Sequence, residues 1–380
     1  MQILDSGHLG NMTTVIKDPL LVPSFNDSIP PEMCQSVWGF DSFLLNLILK
    51  VIELIIVLLC FTSAPLQIYV MQEAVGNIFR KAGDQCLHIF LLSMTLGDFF
   101  LTGICYPIEL IPAVIETGFP FIVNAFMHIM TWIGLMVSSL SLVLLNVDKL
   151  LYFKYPLRYS VYINRTRALS VIAALWIGCA SFVISIWMAG CFVCKGDTCE
   201  RVRLFKSSNG LYLGFMVFVC ILPIVSSLLV ALYILSVVTK HKKAMAEEQA
   251  LCRSSNGSNN SHQVKSRVKA FYFIFMSSVL TAVTLLPYRI YNSANIFDQM
   301  INDMRYGADR DPVASPLKPC PSILLQYLMV YLLQLNAIVN PLITVTILPQ
   351  YRLNSLYCWR SPRRPSEVET TNRTRLATDL

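Results

Sequence analysis

Asp98 places a carboxylate in the middle of the apolar run LLSMTLGDFFLTG. Asn336 and Asn340 stand one helical turn apart in LQLNAIVNPLI and so share a face. In another apolar stretch His128, Thr131, Leu135, Ser138 and Leu142 advance by three or four residues and form one stripe. If these faces converge, Asp98, Ser138, Asn336 and Asn340 make an oxygen-rich cluster whose chemistry suits a small hard cation or waters. A structural hydrogen-bond network between helices would need the same residues, and spacing does not choose between the two.

A second constellation is an acid beside a base. Residues 119–147 hold no Lys, Arg, Asp or Glu, and then VDKLLYFKYPLRY brings Asp148 and Lys149 side by side. Catalytic chemistry finds no foothold. There is no His-Glu-x-x-His metal motif, no phosphate loop and no Gly-x-Ser-x-Gly elbow in a suitable context, so no catalytic residue, cofactor or enzyme activity is expected.

The elements that must position these groups are membrane helices. Hydrophobic residues make up 55% of the chain, charged residues only 14%, against roughly a quarter charged in soluble domains. Seven apolar segments, approximately 46–71, 86–112, 119–147, 168–190, 209–238, 267–297 and 321–348, each exceed the ~20 residues a spanning helix needs. Period-2 alternation is absent, which argues against a membrane β-barrel. The expected fold is all-α: a seven-transmembrane bundle over 43–348, with a 1–42 segment before it and a 349–380 segment after it.

Charge orients the bundle. With the N-terminus outside, eight Lys and Arg fall in outer segments and twenty in inner ones, while Lys50 and Arg289 lie within spans. Bases collect on the cytoplasmic side of membrane proteins. The net charge of +7 therefore reports topology and contact with anionic inner-leaflet lipid, not nucleic-acid binding. The first ten residues lack the basic start and apolar core of a cleavable signal peptide. In the acidic outer segment, Asn11-Met-Thr and Asn26-Asp-Ser are glycosylation acceptors; similar triplets at Asn164, Asn256, Asn259 and Asn372 fall on the inner side. Residues 244–266 read as a flexible inner loop and 298–320 as a charged outer one.

Seven spans with these landmarks resemble a rhodopsin-like (class A) G-protein-coupled receptor over about residues 40–350. The stretch LSMTLGD, ending at Asp98, resembles the family's second-helix Leu-x-x-x-Asp signature. Asp148-Lys149-Leu150 stands where the family has Asp-Arg-Tyr, with YPLRY following. Trp176 matches the fourth-helix tryptophan, Pro223 and Pro287 match the prolines of helices five and six, and NPLIT stands for Asn-Pro-x-x-Tyr. QYRLNSLYCW looks like the short amphipathic eighth helix, with Cys358 as a palmitoylation site. The resemblance implies a plasma-membrane receptor that passes an extracellular signal to a heterotrimeric G protein. It implies sodium at Asp98, Ser138, Asn336 and Asn340, and a G-protein interface at Asp148, Lys149 and Arg267.

The chain departs from the family pattern in several places. TSAPLQ replaces the usual Gly-Asn of helix one, Leu285 the sixth-helix tryptophan, and Thr344 the last Tyr of the helix-seven motif. Lys149 keeps the charge of the family's Arg but loses its planar fork. Arg267 stands where many members carry Glu, so repulsion from Lys149 is expected instead of the usual attraction. Asn124 occupies the position of the helix-three cysteine, so the usual disulfide to the second outer loop cannot form. Cys34–Cys320 and Cys194–Cys199 are the replacements expected here, although sequence alone leaves connectivity open.

In the family's amine receptors an acid on helix three pairs with the ligand; Thr131 stands there instead, which disfavours a charged small amine. The expected ligand contacts are His128, Thr131, Trp132, Tyr288, Arg289, Asn292, Tyr331 and Gln334. Arg289 shares a face with Leu285 and Asn292, and an inward guanidinium needs an acceptor, either Glu109 or a ligand carboxylate, the other reading being that it snorkels outward. LLPYRIYN, residues 285–292, is similar to the helix-six end of some peptide receptors, which favours a neuropeptide. A small non-amine ligand, or a seven-helix channel or transporter, is the alternative.

Overall fold

A computed structural model describes residue 36 and residues 40–80, 84–115, 119–155, 158–159, 163–190, 192–195, 201–204, 209–251, 258–306 and 319–352. Among the described residues seven helical rods run in order: α1 (Ser42–Phe79), α2 (Gln85–Phe100, continuing through a π turn into Tyr106–Ile115), α3 (Phe121–Lys154), α4 (Arg165–Met188), α5 (Asn209–Phe215, then a π turn and Leu222–Leu251), α6 (Ser258–Tyr306) and α7 (Cys320–Ile347). Six of these helices are long and apolar enough to cross a bilayer unaided. The fifth rod reaches that length only across its π turn, Met216–Ile221. A π turn rotates the side chains beyond it, and such turns gather at functional sites.

Local chemistry sets the helix starts. Asp41, Asp84 and Asn164 each cap a helix by accepting from a backbone N–H three residues on, at 2.9, 3.3 and 2.9 Å. A side-chain oxygen here satisfies a donor that the first turn cannot. Pro120 and Pro319 precede α3 and α7, where their fixed φ suits the entry.

One face of each rod packs inward and the other remains apolar and exposed. Leu47, Leu54, Leu58 and Phe61 of α1 and Ile177 and Met188 of α4 all lie open. Such a continuous apolar exterior would be an aggregation liability in water and is what lipid covers. α3 runs through the middle, against α2, α4, α5 and α6.

Three features differ from the sequence expectation. A two-stranded antiparallel hairpin, β1 (Phe192–Lys195) with β2 (Arg201–Leu204), lies between α4 and α5 and adds a small sheet to the all-α plan. The stretch 244–266 is not all loop: α5 runs on to Leu251 and α6 begins at Ser258. AMAEEQAL is made almost wholly of strong helix formers, which lets the rod continue beyond its apolar part. Likewise α6 extends through Tyr306 into the segment read as an outer loop. After α7 a short 3₁₀ turn, Pro349–Tyr351, is described. The amphipathic eighth helix and Cys358 lie outside the described residues, as does the 1–35 segment with Asn11 and Asn26.

Candidate functional site

Three layers of polar residues thread the bundle. In the middle layer Asp98 is 1% exposed. One carboxylate oxygen accepts from the Ser138 hydroxyl at 2.6 Å and the other from the Asn340 amide at 2.7 Å. The close approach of α2 and α3 depends on two glycines. A Cβ on Gly97 would stand 3.2 Å from both the Gly134 carbonyl oxygen and the Ser138 nitrogen.

Asn336 does not join this group. Its carbonyl oxygen accepts from Thr281 at 3.1 Å and Thr284 at 3.3 Å, on α6. One turn along α7 changes the azimuth enough to face a different neighbour. Three of the four expected residues thus converge, and Asn340 Oδ1 is buried with no hydrogen-bond partner. Oxygens of Asp98, Ser138 and Asn340 are a hard donor set of the kind that suits sodium.

Sequence reasoning missed several polar bridges around this layer. Gln67 Nε2 donates to the Ala337 carbonyl at 3.0 Å and to Ser63 Oγ at 3.3 Å, while Thr102 donates to Gln67 Oε1 at 2.8 Å. TSAPLQ therefore ties α1 to α2 and α7 through its Ser and Gln. Asn146 donates to Ser227 at 2.7 Å and Ser278 at 3.1 Å, joining α3 to α5 and α6. Trp176 donates to Ser93 at 3.1 Å. Each apolar run carried these groups visibly, but azimuth decides which of them meet.

The layer towards the α3 N-terminus holds the expected ligand residues. A cavity between α3, α5 and α6 is lined by Trp132, Met136, Phe215, Cys220, Leu285 and Arg289, among others. Arg289 is 6% exposed. Its Nη1 donates to Met216 Sδ at 3.3 Å, and its guanidinium carbon lies 5.8 Å from the Trp132 ring centre. That places the cation over an aromatic face. Among the ion pairs of the described residues none joins Arg289 to Glu109. Leu285, where the family has tryptophan, is 2% exposed and packs with Tyr288, Ile224 and Leu333.

The other expected contacts divide between two sides. Thr131 is partly buried. Tyr331 turns away from the cavity and donates to the buried Glu53 on α1 at 3.0 Å. Gln334 is 2% exposed, and its Oε1 has no hydrogen-bond partner. His128 and Asn292 are partly buried.

At the opposite end Lys149 is 3% exposed and bridges two acids. Its ammonium donates to Asp148 at 2.6 Å and to Asp84, the cap of α2. Tyr159 donates to the other Asp148 oxygen at 2.8 Å. Burial pushes the Asp84 carboxyl up, but the Lys149 charge and hydrogen bond outweigh it and hold the group below its ordinary value. Burial and then the charges of Asp84 and Asp148 push the Tyr159 phenol up. The expected repulsion from Arg267 therefore meets a lysine already neutralised by two carboxylates. The Arg267 side chain lies outside the described residues. Nearby, His88 Nδ1 and the Tyr351 hydroxyl are 2.6 Å apart, joining α2 to the turn after α7.

Cys320 is disulfide-bonded. Its expected partner, Cys34, lies outside the described residues, but Phe40 packs into the same apolar cluster as Cys320. Cys194 stands in β1 opposite Val202, and Cys199 lies outside the described residues.

With this geometry in view, comparison with known proteins gives two matches. The profile of a family described as the 7 transmembrane receptor (rhodopsin family) covers residues 77–343. The G-protein coupled receptor aex-2 of Caenorhabditis elegans is 26% identical over 243 residues, which is 64% of this chain and 64% of that relative's length.

Proposed function

Because this chain belongs to the rhodopsin family of seven-transmembrane receptors, we propose that it binds a peptide at the α3–α5–α6 cavity and signals to a heterotrimeric G protein at the Lys149 end. The observation that carries the peptide reading is Arg289, buried against Trp132 and lining the cavity. A guanidinium has five N–H donors, so one that lines a cavity can add a charge-assisted hydrogen bond to a bound acceptor, and a peptide offers backbone carbonyls and a terminal carboxylate. Thr131, in place of the family's amine-binding acid, points the same way. In this reading the 1–42 segment is extracellular, the protein resides in the plasma membrane, and 349–380 is cytoplasmic. The charge bias of the connecting segments supports that orientation.

The test is a peptide library applied to cells that express the receptor with a promiscuous G-protein reporter. A peptide agonist whose potency falls at least about tenfold in Arg289→Ala, the effect of one charge-assisted hydrogen bond, is the expected result. Responses to small acids alone, with none to peptides, would refute the peptide reading and leave the receptor reading standing. Asp98, Ser138 and Asn340 are proposed to hold sodium in the resting state, with Asn336 acting through α6 instead.

A further inference from the structure

Lys149, in the C-terminal part of α3, is held by α2. Asp84 uses both carboxylate oxygens: Oδ1 accepts from the Leu87 N–H at 3.3 Å and caps α2, while Oδ2 takes the Lys149 ammonium. Asp148 also uses both, with Oδ2 on the same ammonium and Oδ1 on the Tyr159 hydroxyl. The two acids differ in exposure. The Asp84 side chain is 38% exposed and that of Asp148 1%. Water competes for the Asp84 contact and hardly at all for the Asp148 one, so the α2–α3 contact is the one that opens first. One turn along α2, His88 holds Tyr351 beyond α7. The first turns of α2 thus anchor both the α3 base and the end of α7. At the corresponding end of α6, Arg267 offers no negative charge to replace Asp84.

We propose that Asp84 is a positioning residue: it keeps Lys149 folded against α2 in the resting receptor, and its release frees the lysine for the G protein. The proposal rests on the reading that the chain couples to a G protein through this end. The resting restraint then runs between α2 and α3, not between α3 and α6. Its strength is set at the part-exposed Asp84 side chain.

Asp84→Asn removes the charge but keeps an N-cap of equal quality, so α2 retains its start. Asp84→Glu keeps the charge. Two measurements are made on each receptor in cell membranes: acylation of Lys149 by a soluble amine-reactive ester, read by mass spectrometry, and basal second-messenger output per surface receptor. In Asp84→Asn the expected result is several-fold more acylation and about fivefold higher basal output, the population change produced by losing one part-exposed ion pair. Asp84→Glu is expected to lie nearer wild type in both. Unchanged acylation in Asp84→Asn would overturn the latch itself. Raised acylation without raised output, where wild-type output exceeds that of untransfected cells, would overturn its role in the resting state and leave coupling intact. Raised acylation with output equal to that of untransfected cells in every receptor would overturn the coupling reading, and the proposal with it.

Discussion

Alanine at Gly97 and alanine at Gly178 are the same chemical change, yet the structure gives them opposite signs. Both glycines lie inside helices, where alanine gains about 1 kcal/mol in intrinsic propensity. Around Gly178 nothing stands within 4 Å of an added Cβ, so that gain is kept. At Gly97 the new Cβ would meet the Gly134 carbonyl oxygen at 3.2 Å, Ser138 N at 3.2 Å and Ser138 Cβ at 3.4 Å. The two closest are backbone atoms, so no side chain can swing aside and the rods themselves must part by a few tenths of an ångström. Overpacking of this kind costs about 1–3 kcal/mol, leaving Gly97→Ala destabilised by about 1 kcal/mol after the propensity gain. At about 2–4 °C per kcal/mol, Gly178→Ala should raise the unfolding midpoint by about 2–4 °C and Gly97→Ala should lower it by a similar amount. The assay is thermal unfolding of the detergent-solubilised receptor, followed by reaction of its buried thiols (Cys60, Cys86, Cys105, Cys179 and Cys220 are free and buried) with a fluorogenic maleimide. Equal shifts of the same sign in the two variants would refute the claim that a glycine contact sets the α2–α3 spacing at Asp98.

Other outcomes follow from the same physical picture. Asp98→Asn should abolish any sodium dependence of agonist affinity; a full sodium effect in that variant would place the ion elsewhere. Because the Asp84 carboxyl lies below its ordinary value in the folded chain, its stabilisation is present above the unfolded value and is lost as pH falls through the folded one. Unfolding midpoints followed from about pH 7 towards about pH 3 should therefore drop less steeply in Asp84→Asn than in wild type, and parallel curves would remove Asp84 as a contributor. Glycosidase should increase the gel mobility of wild type but not of the Asn11→Gln/Asn26→Gln double variant, and no shift in wild type would count against an outer N-terminus. A non-reduced digest should yield a Cys34–Cys320 linked peptide, and any other partner on Cys320 would replace that pairing.

The bundle was legible in the sequence because its determinants are local. Run length, the absence of charge and capping residues such as Asp41 and Asn164 act within a turn or two, and lipid demands that each segment satisfy its own backbone. Asp98 and Asn340 were legible for a related reason: a carboxylate and an amide inside apolar helices need partners. The identity of those partners was not written locally. Asn336 meets Thr281 and Thr284, not Asp98; Tyr331 turns to Glu53, 278 residues away; Lys149 meets an acid 65 residues earlier. A π turn in α2 and another in α5 rotate the residues beyond them relative to a straight helix. Side-chain azimuth depends on helix rotation, kinks and glycine-scale spacing between rods. Those are fixed only when all seven helices pack together, which is why the sequence determined the kinds of residue inside the bundle while tertiary structure alone decided which of them touch.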